Sequence, residues 1–255
     1  MRDNLVRQAL RRGETVIGSM VTEMRSPAVA LLFASAGFDF FFIDMEHGSY
    51  DMTTVADIIK VARLAGICPM VRVPDPEYHL MSRPLDAGAQ GLMIPRVETR
   101  EAVEHVVRSV RYPPEGVRGC SIARGHNEYR GAPLAEFTEH ANENVLVVVQ
   151  IERRRAVEDI DDLLSVPGVD VALIGPQDLA VSLGTMDPQH PDTEHAVQRV
   201  VDAAQRHGIA AGIHSRDVEV LRMWQERGMR MLTCSTDADF VSQGAQAAVN
   251  ALRAS

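Results

Sequence analysis

Two acidic residues, Glu152 and Asp178, are candidate metal ligands. Each lies at or just after the end of a short apolar run, and the two runs are consecutive along the chain. Two carboxylates brought close together repel, and one of them tends to take up a proton. A divalent cation removes this repulsion, and ligation by oxygen alone suits Mg²⁺ or Mn²⁺. Singly, Asp178 could cap a helix and Glu152 could be a surface charge. Together, the pair predicts a metal site.

A second group of candidate catalytic residues follows two earlier apolar runs. His47 comes three residues after Asp44, whose carboxylate could orient the imidazole and stabilise its protonated form, as a general base near neutral pH requires. A structural histidine at the following turn is the alternative. Arg72 ends another run, and burying it is costly unless it meets an anion. It could hold a carboxylate or an oxyanion, or it could pair with Glu46 or Asp44.

The segment Gly175-Pro176-Gln177-Asp178 resembles a turn from a strand into a helix. Free backbone N–H groups at such a helix start can hold a carboxylate, although capping alone would also explain the sequence. Gln150, two residues before Glu152, belongs to the same polar cluster. The sequence therefore predicts a substrate-binding turn beside the metal site.

The elements that would position these residues alternate along the chain. Nearly continuous apolar runs, typical of parallel strands buried on both faces, predict eight strands: Thr15–Val21, Phe38–Ile43, Pro69–Val73, Gly91–Ile94, Val145–Ile151, Val169–Ile174, Ile209–Ile213 and Met229–Cys234. Helical periodicity and terminal glycines predict helices between them: Ser26–Ala36, Asp51–Ala65, Glu77–Ala87, Thr99–Val110, Asp217–Arg227 and Ala238–Leu252.

This alternation favours an α/β fold with one (β/α)8 TIM barrel over residues 1–255, rather than an open sheet. The segment before the first strand is predicted to form a helix that caps the bottom of the barrel. Residues 111–132 form an unusually long connection, and loops of this length are usually functional. In a barrel of this kind, side chains at the carboxyl ends of the strands line the active site.

Composition excludes several other classes of protein. The chain has 35 acidic and 26 basic residues and a net charge of -9, which disfavours binding to nucleic acid. No apolar run is long enough to cross a membrane, and no glycine motif for dinucleotides or nucleoside triphosphates follows a strand. Three cysteines without CxxC spacing indicate neither disulfides nor a zinc site. With no signal-like N-terminus, the protein is expected to be cytoplasmic.

Six segments in order along the chain resemble the HpcH/HpaI aldolase/citrate lyase family: FFIDMEHG, MVRVP, DAGAQGLMIPRV, GVRG, VVQIE and ALIGPQDLAVSLG. The resemblance covers residues 5–235 and is strongest to the class II, metal-dependent pyruvate aldolases, such as 4-hydroxy-2-oxoheptanedioate aldolase and 2-dehydro-3-deoxyglucarate aldolase. It implies reversible cleavage of a 4-hydroxy-2-oxo acid to pyruvate and an aldehyde through a metal-bound pyruvate enolate. The only lysine, Lys60, is predicted to lie in mid-helix, which argues against a Schiff base.

The same resemblance implies a role for each candidate residue. Glu152 and Asp178 would bind Mg²⁺ or Mn²⁺, with Co²⁺ as a further possibility, and His47, oriented by Asp44, would act as acid and base through a water on the metal. The remaining roles fall on residues around the substrate: Arg72 would stabilise the enolate oxygen, Gln150 would line the pocket, and the backbone of Gly175, Pro176 and Gln177 would hold the pyruvate carboxylate. A homo-oligomer, hexameric or trimeric, is also implied.

Other functions of the same superfamily are possible: a lyase like those for citryl- or malyl-CoA, or an oxaloacetate decarboxylase. No basic stripe for the phosphates of CoA is evident, and a non-catalytic binding barrel is less favoured because metal, base and oxyanion groups are all present. The chain departs from the family pattern at MRMLTCSTDADF, in the middle of SIARGHNEYRG, and at His214 and Ser215. These departures are predicted to set substrate or aldehyde specificity.

Overall fold

The computed structural model describes residues 2–254, within which eight parallel strands form a closed barrel. Each strand pairs with the next along the chain, and the last pairs with the first. The strands are β1 (Val16–Val21), β2 (Phe40–Asp44), β3 (Cys68–Arg72), β4 (Gly91–Ile94), β5 (Leu146–Ile151), β6 (Val171–Ile174), β7 (Ala210–Ser215) and β8 (Met231–Thr236). The predicted (β/α)8 fold is confirmed. Met1 and Ser255, the ends of the predicted domain, lie outside the described residues.

The continuous apolar runs arise because each strand is buried on both faces. Phe40 and Phe42 of β2 point into the barrel and pack with Met70 of β3, whereas Phe41 and Ile43 point outwards, against the surrounding helices. Successive side chains of a strand alternate between its faces. Polar residues are therefore tolerated inside only near the ends of the barrel.

The helices surround the barrel between successive strands: α1 (Leu5–Arg11), α2 (Ala28–Ser35), α3 (Met52–Ala65), α4 (Tyr78–Ala87), α5 (Arg100–Val110), α6 (Leu134–Asn144), α7 (Arg154–Glu158), α8 (Ile160–Leu164), α9 (Pro176–Leu183), α10 (Pro191–Arg206), α11 (Val218–Glu226) and α12 (Asp237–Arg253). Their ends follow local chemistry. Asp51 caps α3 by accepting from the N–H of Thr54 at 2.7 Å, and Gly66 ends that helix at φ 80°.

Helix α1 closes the amino end of the barrel, as predicted. Its Val6 and Leu10 pack against the inner cluster of strand side chains. Asn4 caps the helix by accepting from the N–H of Arg7, and its side-chain amide donates to the carbonyls of Gln90 and Asn144. The helix thereby covers the amino end of the barrel, opposite the carboxyl ends of the strands.

The long connection at residues 111–132 contains one short 3-10 helix, Gly125–Asn127. It lies against α4, where the N–H of Gly119 donates to the Tyr78 hydroxyl at 2.7 Å and Arg118 pairs with Asp86 at 2.7 Å. No helix of the described residues is long and apolar enough to span a membrane.

Candidate active site

A cavity of about 110 Å³ opens at the carboxyl end of the barrel, where the sequence predicts the active site. Seven of the nine predicted site residues line it: Asp44, Arg72, Gln150, Gly175, Pro176, Gln177 and Asp178. The other two, His47 and Glu152, lie on the segments that follow β2 and β5, and Glu152 bonds to the lining residue Gln150. The parallel strands thus bring together residues that are up to 134 positions apart in the chain, from Asp44 to Asp178.

An ion pair between neighbouring strands forms one side of this cavity. Arg72 donates to both carboxylate oxygens of Asp44, from Nε at 2.9 Å and from Nη2 at 2.7 Å. The two residues are register partners on β2 and β3. Arg72 also lies 3.3 Å from Glu46, which pairs in turn with Arg96 at 2.8 Å. Arg72 therefore makes the ion pairs that the sequence left open as one alternative, and it also lines the cavity.

His47 lies at an exposed turn after β2. Its backbone N–H donates to Oδ1 of Asp44 at 3.3 Å, and the N–H of Glu46 donates to the same oxygen at 3.1 Å. Within residues 2–254 the His47 imidazole makes no hydrogen bond or ion pair, so the structure does not bring it onto the Asp44 carboxylate. Asp44 instead fixes the turn that carries His47.

Glu152 is almost fully buried, with 3% of its surface exposed, so it is not the surface charge that the sequence allowed. Its Oε1 accepts from the backbone N–H of Arg96 at 2.8 Å, and its Oε2 accepts from the Gln150 amide. Burial raises the pKa of Glu152 to about 7, and the charges of Glu46 and Asp178 add to this rise. A positive charge beside such a carboxylate favours its charged form.

The turn after β6 lies directly against Glu152. Gly175 precedes α9, and a Cβ at this position would come within 2.8 Å of both Glu152 Oε2 and Gln150 Nε2. Only glycine leaves room beside these polar atoms. Pro176 has no N–H, so the first free donors of α9 are the N–H groups of Gln177 and Asp178. Asp178 lies in the first turn with an exposed side chain, and the cap position is Gly175, so Asp178 is not the N-cap.

The sequence model of the HpcH/HpaI aldolase/citrate lyase family matches residues 20–243. The chain belongs to this family. It is 34% identical to a hydroxypyruvate/pyruvate aldolase of Paraburkholderia phytofirmans, over 98% of both chains, and 33% identical to a 5-keto-4-deoxy-D-glucarate aldolase of Shigella boydii, over 92% of this chain and 90% of the relative. An HpcH/HpaI aldolase structure from Desulfitobacterium hafniense has a TM-score of 0.95 at 32% identity and covers 99% of this chain and 97% of that one.

HpcH/HpaI aldolases generally depend on a divalent metal, and the residues at the cavity fit such an ion. The described residues contain no cluster of three or more His, Cys, Asp or Glu side chains suited to a metal. Of the two predicted ligands, Asp178 lines the cavity and the buried Glu152 bonds to the lining residue Gln150. One or two carboxylates, with water and substrate in the other positions, suit Mg²⁺ or Mn²⁺. Each Glu152 oxygen keeps an unused lone pair, and the missing Cβ of Gly175 leaves space beside Oε2.

Sequence reasoning missed Arg96, and it named Glu46 only as a candidate partner of Arg72. Glu46 joins Arg72 to Arg96, and Arg96 holds Glu152 through its backbone while adopting a left-handed conformation at φ 55°. Such a backbone is uncommon for a residue other than glycine and marks a tertiary constraint. The available signal was the position of Arg96, two residues after the end of β4.

Proposed function

We propose that the protein is a metal-dependent aldolase that reversibly cleaves a 4-hydroxy-2-oxo acid into pyruvate and an aldehyde. The observation that carries this proposal is the buried Glu152 carboxylate, with a pKa of about 7, beside the cavity that Arg72 and Asp178 line. Curated relatives that match nearly the whole chain are named as aldolases of oxo acids. Glu152 and Asp178 would hold Mg²⁺ or Mn²⁺, with Co²⁺ as a third candidate.

The start of α9 and the guanidinium of Arg72 bind the oxo-acid end of the substrate. The N–H groups of Gln177 and Asp178 point outwards from the first helical turn, where the helix dipole favours a carboxylate. Gln150 faces the same cavity with an Oε1 atom that has no partner among the described residues, so it can accept from a hydroxyl group of the substrate. These contacts fix the plane of the oxo acid.

Cleavage of the C3–C4 bond moves an electron pair onto the oxo-acid half, and negative charge develops on the 2-oxo oxygen. A bound divalent cation would supply Lewis acidity at that oxygen. Arg72 adds a positive charge that Asp44 and Glu46 already hold in place, so no reorganisation is needed as the charge develops. Removing one preorganised donor of this type typically costs about 10²- to 10³-fold in rate.

A base must also take the proton of the C4 hydroxyl as the aldehyde leaves. We assign this proton to His47, because it lies on the turn that is fixed by Asp44, a residue that lines the cavity. Its exposed position allows the proton to be exchanged with solvent. In the reverse direction the same imidazole returns the proton to the aldehyde oxygen.

The test is turnover of the purified protein with pyruvate and a panel of aldehydes, including succinic semialdehyde, tartronate semialdehyde, lactaldehyde and glycolaldehyde. We expect carbon–carbon bond formation that stops when a chelator removes the metal and returns with Mg²⁺ or Mn²⁺. Loss of CO₂ from oxaloacetate without aldol product would instead indicate a decarboxylase. Aldol turnover that persists in the chelator would contradict the metal assignment.

We also propose that the protein assembles as a trimer or hexamer. Helix α12 follows the last strand, and among its described residues only Asp237 is buried. It exposes Phe240, Val241 and Val249, and large apolar side chains on one element are typical of an interface. Sedimentation velocity is expected to give a trimeric or hexameric mass, and a monomer at micromolar concentration would contradict the assembly.

A further inference from the structure

His214 is a polar residue of the cavity that the proposed chemistry does not use. It lies near the end of β7, where its imidazole lines the cavity together with Arg72 and Gln150. Its Nδ1 atom is buried and has no hydrogen-bond partner among the described residues. Most buried polar atoms in proteins are paired, so an unpaired one that faces a binding cavity calls for a ligand or a water molecule.

The protein around His214 does not supply that partner. The register partner of His214 on β8 is Thr233, which is fully buried and whose Oγ1 also lacks a partner within residues 2–254. On the other side, β6 contributes the apolar Leu173 to the cavity. Beyond β6, Gln150 presents its own unpaired Oε1. The inner wall from β5 to β7 is therefore apolar in its centre and polar at both edges.

The imidazole of His214 is neutral at physiological pH. Burial, together with the charges of Arg72 and Arg216, lowers its pKa to about 4. A neutral imidazole has one N–H donor and one acceptor nitrogen. A hydroxyl group can pair with either nitrogen, whereas a methyl group would leave the buried Nδ1 unpaired.

The part of the substrate that faces His214 follows from the other contacts. If the carboxylate lies at the start of α9, after β6, and the 2-oxo oxygen lies towards Arg72 on β3, both polar ends of the oxo acid are held. The remaining substituent of the 2-oxo carbon is C3, which then faces the side of the cavity formed by Met20 and His214. Met20 offers no hydrogen bond to a polar substituent. The hydroxyls of Thr22 and Thr236, which also line the cavity, already bond to Asp237 and to the N–H of Asp239. Nδ1 of His214, in contrast, has no partner among the described residues.

We infer that His214 is a specificity-determining residue that binds a hydroxyl group on C3 of the oxo acid, so that the preferred nucleophile is a 3-hydroxy-2-oxo acid such as hydroxypyruvate rather than pyruvate. This inference rests on the proposed function. In the reaction, C3 loses one proton and forms a bond to the aldehyde carbon, and the aldehyde oxygen takes up a proton. The product is a 3,4-dihydroxy-2-oxo acid, and no oxidant or reductant is required.

The test compares two nucleophiles in two assays, with Mg²⁺ or Mn²⁺ present. Exchange of the C3 protons with D₂O, followed by ¹H NMR, reports activation of the oxo acid without an aldehyde. Aldol addition to glycolaldehyde gives kcat/KM for hydroxypyruvate and for pyruvate. Because the two acids differ in intrinsic reactivity, the decisive quantity is the hydroxypyruvate-to-pyruvate ratio in the wild type divided by that in a variant.

Two variants and one control are informative. His214→Leu removes both ring nitrogens. We expect it to lower the hydroxypyruvate-to-pyruvate ratio about two- to tenfold, which corresponds to the loss of one neutral hydrogen bond. Most of this change should come from a lower activity with hydroxypyruvate. His214→Asn keeps a polar group near Nδ1 and is expected to retain part of the preference. His195→Leu, at an exposed position on α10, should leave the ratio unchanged.

The outcomes separate this inference from the proposed function. No exchange and no aldol product with either acid in the wild type would overturn the proposed function itself. Turnover of both acids with the same ratio in the wild type and in His214→Leu would overturn the role of His214 alone. If His214→Leu fails to fold, the ratio in the wild type divided by that in His214→Asn decides, and equal ratios would overturn the role of His214. A wild type that prefers pyruvate in both assays would also overturn the inference.

Discussion

Replacing Glu152 by glutamine separates the cost of burying a negative charge from the benefit of binding a metal. In the metal-free protein, burial raises the pKa of Glu152 from 4.5 to about 7, which corresponds to about 3 kcal/mol. The folded state binds this proton more tightly than the unfolded state does. The free energy of unfolding of the metal-free protein therefore falls as the pH rises from 4.5 to about 7, and the loss is complete above that range.

Glu152→Gln keeps the shape of the side chain and removes the charge. Its Oε1 can still accept from the N–H of Arg96, and the amide of Gln150, whose Oε1 has no partner among the described residues, can rotate to accept from the new amide. At pH 8 without metal, we expect the variant to exceed the wild type by up to about 3 kcal/mol, or about 6–12 °C in Tm. At pH 5 the two should nearly coincide.

Thermal melts at both pH values, with EDTA or with Mn²⁺, measure this difference without any activity assay. Mn²⁺ should raise the Tm of the wild type at pH 8 and have little effect on Glu152→Gln. Glu226→Gln, at an exposed site near the end of α11, serves as the matched control and should follow the wild type. A variant less stable than the wild type at pH 8 without metal would refute the burial argument. A variant that Mn²⁺ stabilises as much as the wild type would refute the ligand assignment.

Four further substitutions test three other residues of the site and one buried carboxylate of the fold. Arg72→Lys loses the two-pronged contact with Asp44 and is expected to lower kcat about 100-fold with little change in Tm; near-normal turnover would exclude an oxyanion role. His47→Ala should lower kcat about 10²- to 10⁴-fold and preserve the Mn²⁺-induced rise in Tm, whose loss would point to a ligand instead. Asp178→Asn, at an exposed position, should weaken Mn²⁺ binding in calorimetry at least about tenfold without changing the metal-free Tm, and unchanged affinity would contradict its assignment. Asp237→Asn should lower the free energy of unfolding by about 2–4 kcal/mol in urea titrations, because the buried carboxylate accepts from Thr22 Oγ1 and from the N–H groups of Thr22, Glu23 and Met24; a loss within error would show that these bonds are dispensable.

The strands and the identity of the polar residues at their ends could be predicted from the sequence because both depend on local order along the chain. Val147, Val148 and Val149 alternate between the outer and inner cores, yet all are apolar, and such runs repeat at intervals that fit a barrel. Glu152 is the first residue after β5, the strand that contains this run. Short helices such as α7 and α8 carry too little periodicity to be predicted in the same way.

The contacts inside the site could not be predicted in this way. Asp44 and His47 are close in sequence, which suggested a pair of side chains, but the parallel register places Arg72 opposite Asp44, and the guanidinium takes both carboxylate oxygens. Lateral neighbours in a sheet are only about 4.8 Å apart, so register decides which side chains meet. The bridge from Arg72 through Glu46 to Arg96 depends on three strand ends at once.

The fold and the residue types at one end of the barrel can be inferred from the chain alone, because the hydrophobic pattern and the order of the strands are written in the sequence. Three features follow from tertiary contacts instead: the burial of Glu152 with a pKa of about 7, the contact from the strained backbone of Arg96 to Glu152, and the unpaired nitrogen with which His214 faces the cavity. Burial and unpaired atoms depend on every neighbouring strand, so they exist only once the barrel has closed.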